Sequence, residues 1–509
     1  MVKPITNVTE RWLITAAVMS AAVMQVLDMT IVNVSLPHMQ GSLSAAPDQI
    51  TWVLTSYLIA SAIFMPLTGY FADKFGRKNY LLFSIGGFVF SSALCGLASS
   101  VTEMVIFRSL QGVFGAALAP LSQAILADTY HKEEQGKAMA IWGIGIMIGP
   151  ILGPTLGGYL TDIASWRWNF YINVPVGILS LFLAWQYVPA TEKRVRSMDW
   201  AGLAWISLAI ASLQYVLDKG NEENWFDSTN IKIAVFLAVL GLLCFIAVSS
   251  KKKLRSVFDI EVFKDRNFLI ASLLIAVLGV GMFGTMVIQP LLLEVNLNYP
   301  VLTAGLAMAP RGIGGILSML VVAKMVQKYD PRYLISFGIL IAAGSNWVGT
   351  HYTIMMSSWW FTIPLFIQGF GMGFIFVPLS TLAYSTLPHY LRAEAAGIYS
   401  LLRTLGSSIG ISVIITLYAR HNQLHWNTLA SHVQATNLDI LAYTHLPPFN
   451  HNPEIMMDVI ANEVRIQAQM LSFVDMYAFI TWSFLLMLPL VFLIKSKISV
   501  YTDKEVPPI

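Results

Sequence analysis

Long, nearly uncharged apolar runs recur along this chain, and they limit its fold more than any other feature. A hydrocarbon layer about 30 Å thick is crossed by roughly 20 apolar residues in a helix. Fourteen such runs are present, at 12–36, 50–71, 78–98, 103–127, 137–160, 168–188, 199–217, 231–249, 267–292, 302–326, 332–350, 359–384, 397–418 and 474–494. Only 12% of the 509 residues are charged and 56% are hydrophobic, whereas a soluble domain carries about 25% charged residues. No soluble core hides that much apolar surface. Lipid offers no hydrogen bonds to the backbone, so each run must satisfy its own peptide groups as a helix. An all-α polytopic membrane protein follows. The first run is too long for a signal-peptide core and lacks a cleavage site, so it reads as a retained span.

Lysines and arginines orient the spans. With the N-terminus inside, 23 of the 31 fall in inner segments, 5 in outer segments, and Arg108, Arg311 and Arg403 lie within spans. An odd span count would scramble that alternation. Both termini are therefore expected in the cytoplasm. Two segments break the rhythm of short loops. The basic stretch 249–267 reads as a connector along the inner face. The outer stretch 419–472 holds five of the nine histidines and reads as a solvated, partly helical loop. His421 and His425 in it have the i, i+4 spacing of a metal pair, but the segment as a whole assigns no metal.

Several function classes are excluded. A net charge of +3 gives no basic surface for nucleic acid. Cys95 and Cys244 sit singly in apolar runs, without a CxxC partner. An ATP-driven pump needs GxxxxGK[ST], which is absent. One acid and three arginines are too few for the charged rings of a channel. No HExxH or other metal constellation supports an enzyme, and no cofactor is expected.

Asp28, in "MQVLDMTIVNVSLP", is the one acid well inside a span. A charge at a helix centre costs about 2.5–3.5 kcal/mol on insertion scales, so Asp28 must face a cavity or a partner. A carboxyl that can be neutral or charged is what proton coupling requires. Arg108 is its expected counterpart: helical rise puts the two at similar depths, roughly 12 and 8 Å below the outer face. Protonating Asp28 would then free Arg108. Arg311 lies near mid-span, and Arg403 is close enough to the inner end to snorkel.

Two motifs stand out. "GYFADKFGRKN" (69–79) fills the first inner hairpin. Gly69 and Gly76 permit close packing and a tight turn, and Asp73 suits a neighbouring helix N-terminus. "GIGIMIGPILGPTLGGYL" (143–160) repeats Gly145, Gly149, Gly153 and Gly157 at four-residue steps. That spacing makes one slanting smooth face for a second helix. Pro150 and Pro154 remove two backbone donors and bend the helix. This face is expected at the interface between two halves of the molecule.

These motifs resemble those of the major facilitator superfamily. Gly69, Asp73, Gly76, Arg77 and Lys78 are similar to its G-x-x-x-D-x-x-G-R-K signature. The resemblance implies that Asp73 meets the eleventh core helix, beginning near Ala395, and that Arg77 pairs with Asp128. Gly145, Gly149, Pro150, Gly153, Pro154, Gly157 and Gly158 resemble the antiporter motif G-x-x-x-G-P-x-x-G-G. "SWRWNFYINVPVG" (165–177), "LQYVLDKGNEENWF" (213–226), "TAGLAMAPRGIGG" (303–315) and "GIYSLLRTLGSSIGIS" (397–412) are similar to the fourteen-helix drug:proton antiporters of the EmrB-like branch.

That resemblance implies two six-helix bundles, 1–190 and 267–509, with two extra helices and a connector in 191–266. It implies proton-driven export of amphipathic drugs across the inner membrane by alternating access, with no cofactor beyond the proton gradient. It also implies a periplasmic adaptor and an outer-membrane channel as partners, the outer segment 419–472 being the expected adaptor contact. Asp28, Asn33, Gln111, Gln289 and Gln368 are candidate cavity positions, although helix–helix bonding suits each of the last four equally well. The competing expectation is a same-fold transporter for one metabolite or siderophore.

Overall fold

A computed structural model describes residues 7–131, 134–191, 193, 199–251, 261–433 and 453–495. Residues 252–260 of the connector 249–267 and both chain ends lie outside the described residues. The described chain is helical throughout, and each apolar run corresponds to one helical rod. In chain order these are α1 (Val8–Ser42), α2 (Trp52–Phe75), α3 (Arg77–Leu97), α4 (Val101–Thr129), α5 (Gln135–Ile163), α6 (Trp168–Tyr187) and α7 (Trp200–Lys219). There follow α8 (Thr229–Lys251), α9 (Arg266–Asn296), α10 (Val301–Met325), α11 (Pro331–Gly349), α12 (Trp359–Ser385), α13 (Arg392–Ser431) and α14 (Pro453–Leu485). Among the described residues, twelve helices are long and apolar enough to cross a membrane.

Prolines shape several rods. Proline lacks an N–H and its ring collides with the carbonyl four residues earlier. In α2, Pro66 sits in a 3-10 turn, Met65–Leu67. In α4, the regular helix is interrupted at Ala116 and Ala117, just before Pro120. There the side chain of Gln25 on α1 accepts from the Ala119 N–H at 3.0 Å. In α9, Pro290 precedes a wide π turn, Leu291–Asn296.

Packing repeats between the two halves. In the first, α1 packs on α4, α5 and α6, α2 on α4, and α3 on α4 and α6. In the second, α9 packs on α12, α13 and α14, α10 on α12, and α11 on α12 and α14. The pairings correspond one to one when α1–α6 are laid over α9–α14, which is the signature of two copies of one six-helix bundle. Between them run α7 and α8. α7 touches both halves, through α2 and α13. α8 packs on α7 and presents Ile233, Phe236, Val239 and Leu243 outward, each more than half exposed. Apolar side chains facing out along a 23-residue helix mark a lipid-facing surface.

The halves meet along α5 with α10 and α12, and along α13 with α2 and α4. Trp142 of α5 stacks on Phe376 of α12, with centroids 5.7 Å apart. Gly143 faces Met319 and Phe376, and Gly315 faces Met147.

The glycine stripe lies elsewhere than expected. Gly145 faces Met19, Gly149 faces Val26 and Leu27, Gly153 faces Thr30, and Gly157 faces Ile31. All five partners are on α1, so the stripe seals α5 to α1 inside the first half and not across the two halves. The reason is helical phase: Gly143, two residues before Gly145, points about 200° away and meets the second half instead. α5 stays helical from Gln135 to Ile163, through Pro150 and Pro154 and past Gly158. The Thr30 hydroxyl donates to the Gly149 carbonyl at 3.1 Å across the seam. A Cβ at Gly149 would lie 2.7 Å from Val26 Cγ1 and 3.0 Å from the Leu27 nitrogen, and backbone cannot move aside. Gly149→Val should therefore cost about 1–3 kcal/mol by overpacking and lower the unfolding temperature in detergent. Gly305→Ala, whose Cβ would have its nearest neighbour at 3.6 Å, should leave it unchanged.

The segment 419–472 is partly helical, as expected. α13 continues to Ser431 and the chain is helical again from Pro453. At 1.5 Å per residue the 40 residues of α13 measure about 60 Å, twice the hydrocarbon thickness. The two helices pack on each other and extend beyond the bundle as a hairpin whose tip, 434–452, lies outside the described residues.

Candidate functional site

Asp28 and Arg108 meet. Arg108 Nη1 donates to Asp28 Oδ2 at 2.6 Å, and both side chains are fully buried. α1 and α4 run side by side in the first half, so similar depth became contact. Two more donors reach the carboxylate: Gln111 Nε2 at 2.9 Å and Asn173 Nδ2 at 2.8 Å, both onto Oδ1. The carboxylate thus ties α1, α4 and α6 together.

The surroundings hold that geometry. Arg108 Nη1 also donates to Gln111 Oε1 at 2.8 Å, and Nε donates to the Val53 carbonyl at 3.1 Å. Asn173 donates a second bond to Ser92 Oγ at 3.0 Å, and that hydroxyl donates to the Phe170 carbonyl. The guanidinium lies 4.4 Å from the Tyr57 ring centroid and 5.7 Å from that of Phe170, a desolvated cation–π arrangement. Arg108 Nη2 has no hydrogen-bond partner among the described residues. A buried ion pair persists only when its remaining polar atoms are satisfied. Here three donors on one carboxylate meet that condition for the ionised acid. Protonating Asp28 would remove the negative charge that pairs with Arg108 and so weaken these charge-assisted bonds.

Asn173 and Ser92 were not singled out in the sequence. The only signal was a polar residue inside an apolar run, which Asn173 shares with many helix–helix contacts.

The remaining cavity candidates do not converge. Gln111 belongs to the Asp28 cluster. Gln368 donates to Asn346 Oδ1 on the neighbouring α11 at 2.9 Å. Gln289 is buried on α9 beside Tyr477. Asn33 is exposed on α1. Arg311 is buried and donates to the Met282 carbonyl at 3.0 Å. Arg403 lies over the Trp142 ring at 5.3 Å, at the seam between the halves, and does not snorkel. The string Gly406 to Gly410 has GxSxG spacing, but it lies in the middle of α13 and not at the strand-to-helix turn a nucleophilic serine requires.

A second charged cluster closes one end of the seam. Arg77 bonds Asp128 within the first half, and Arg392 Nη1 of α13 donates to the other oxygen of Asp128 at 2.8 Å. Asp128 therefore bridges the halves; Arg392 is the partner that sequence reasoning missed. Gly76, at φ 83°, makes the left-handed turn that separates α2 from α3, and Lys78 is half-buried in the first turn of α3. Asp73 lies in the last turn of α2. Gly69 is pressed against the start of α13, where a Cβ would lie 2.7 Å from Glu394 Cα. Tyr384 donates to Gln123 across the same seam at 2.9 Å.

Two repeated six-helix bundles with a buried acid–arginine pair in one of them define a membrane transporter class. Residues 18–411 match the Major Facilitator Superfamily model, and the chain belongs to that superfamily. Within it, the chain is EmrB-like. It is 35% identical to the multidrug export protein EmrB of Escherichia coli (strain K12), over 95% of each chain. It is 34% identical to the probable multidrug resistance protein EmrY of the same organism, again over 95% of each. The fatty acid resistance protein FarB of Neisseria gonorrhoeae is 34% identical over 84% of this chain and 85% of its own. Among solved structures, the fold is similar to the human organic anion transporter MFSD10, with a TM-score of 0.63 at 14% identity, covering 94% of this chain and 99% of that one. The proton:xylose symporter XylE has a TM-score of 0.59 at 16% identity, covering 94% and 95%. The chain is a multi-pass membrane protein of a family of transporters.

Proposed function

We propose that this protein is a proton-driven exporter of amphipathic drugs in the inner membrane, working by alternating access, with residues 1–190 and 267–509 as the moving bundles. The buried Asp28 carboxylate, held by donors on two other helices, is the observation that carries this reading. With the basic loops in the cytoplasm, the Asp128 and Gly69 contacts would close the cytoplasmic end of the seam, as an outward-facing state requires. A proton reaching Asp28 releases Arg108 and loosens the tie among α1, α4 and α6. That change in packing favours the inward-facing arrangement, where drug enters as the proton leaves. A ligand shifts such an equilibrium only by its differential affinity for the two states, and Asp28 supplies that difference for the proton. Multidrug relatives favour a broad amphipathic cargo. The projecting hairpin of α13 and α14 is the surface offered to a periplasmic adaptor, which would pass cargo to an outer-membrane channel.

Everted vesicles test the coupling. Respiration acidifies their lumen, and adding an exported drug should discharge part of the pH gradient in vesicles carrying the protein. Vesicles without it should not respond. If no member of a panel of amphipathic drugs moves the gradient, while cells still gain resistance, proton antiport is refuted.

A further inference from the structure

Where α13 leaves the bundle, three metal-binding side chains converge. His421 and His425 are one turn apart on α13, and Asp475 faces them from α14. His421 Nδ1 lies 2.6 Å and His425 Nε2 2.7 Å from the same carboxylate oxygen, Oδ2. The three side chains are 39%, 21% and 35% exposed, so water reaches them. Beneath them the rings of Tyr418 and Phe473 pack with centroids 4.8 Å apart and fix the spacing of the two helices.

We propose that His421, His425 and Asp475 form a binding site for a transition-metal dication, zinc above all, that clamps the base of the projecting hairpin. Two imidazole nitrogens and one carboxylate oxygen are a three-residue zinc donor set, with water as the fourth ligand. The ligand atoms lie within 4.8 Å of one another. A tetrahedral ion about 2.0–2.2 Å from each ligand holds neighbouring ligands roughly 3.3–3.5 Å apart, so side-chain torsions complete the site without moving either helix. Imidazole ligands select zinc, copper or nickel over magnesium and calcium, which take oxygen. The site joins α13 to α14 and stands apart from the Asp28 cluster, so it does not depend on the transport reading.

Zinc titration of the purified full-length protein, with any polyhistidine tag removed, tests the site. One zinc ion per chain is expected, with a rise in unfolding temperature that an equal concentration of magnesium does not give. Loss of a mere outer-shell partner weakens metal sites about 10–100-fold, so His421→Ala and His425→Ala should each weaken binding at least about tenfold. Asp475→Asn, which keeps the shape of the side chain, should weaken it similarly and guards against misfolding of the histidine variants. Failure of the wild-type protein to bind zinc would overturn the proposal. So would unchanged affinity in a His421→Ala/His425→Ala double variant that elutes as the wild type does.

Discussion

Asp28→Asn is expected to abolish drug resistance and drug-induced proton movement while leaving the protein in the membrane. An amide keeps the shape of the carboxylate but cannot exchange a proton. It also leaves Arg108 buried beside a neutral group. Removing one member of a buried pair is destabilising by about 3–5 kcal/mol, so loss of activity in the single variant has two readings. The double variant Asp28→Asn/Arg108→Gln separates them. It removes both charges, so the unpaired buried cation is gone and most of the lost stability should return. If Asp28 acts only as a structural anchor, transport should return with stability. If it is the proton carrier, the double variant is stable and still inactive. Unfolding temperature and vesicle acidification, measured on the same preparations, give the answer. Proton-driven export by either variant would remove Asp28 from the mechanism.

Gly69→Leu should block transport for a different reason. Gly69 touches the other half of the molecule, at the Cα of Glu394, and a leucine there must push two backbones apart. Overpacking of about 1–3 kcal/mol falls on the end of the seam that the proposed orientation places at the cytoplasm. A bias of that size shifts a two-state equilibrium by about 5–150-fold, toward the inward-facing form. The expected outcome is a folded protein with resistance at background level. A thiol introduced as Gln123→Cys, buried at the same seam in the wild type, should react faster with a reagent added from the cytoplasmic side. Normal resistance with unchanged labelling would show that the contact does not limit the cycle.

These experiments bear on what the residues reveal by themselves. Helix number and class were legible because each span must bury its own backbone in a contiguous apolar run, and such runs survive without any tertiary information. The Asp28–Arg108 contact was legible for a related reason: an intramembrane charge needs a partner, and few were on offer. The third helix of that cluster was not. Asn173 reaches Asp28 only because α6 packs on α1, and an asparagine in a span has many possible neighbours. The glycine stripe shows the same limit. Four-residue spacing specifies a smooth face, whereas the helix that covers it depends on rotation about the axis, and here the covering helix is α1. Of the cavity candidates, Gln368 turned out to bond a neighbouring helix, as polar groups in lipid tend to do. His421 and His425 gained a carboxylate partner fifty residues away, which no local pattern announces.

The inserted helix α7 has a mechanical consequence. It is fastened to the first bundle by Thr55 with Asp218 and Thr51 with Lys219. It is fastened to the second by Gln214 donating to Ser408 at 3.0 Å, and by Trp225 just beyond its end, whose ring nitrogen donates to Thr416 at 3.1 Å. In the proposed alternating-access cycle, bundles rotating in opposite senses would have to stretch or slide along a shared tie-rod. Because α7 is a hydrogen-bonded helix, it resists stretching, and the sliding falls on these few anchor points. On the proposed cycle, the stroke length would then be set by a part that lies outside both bundles.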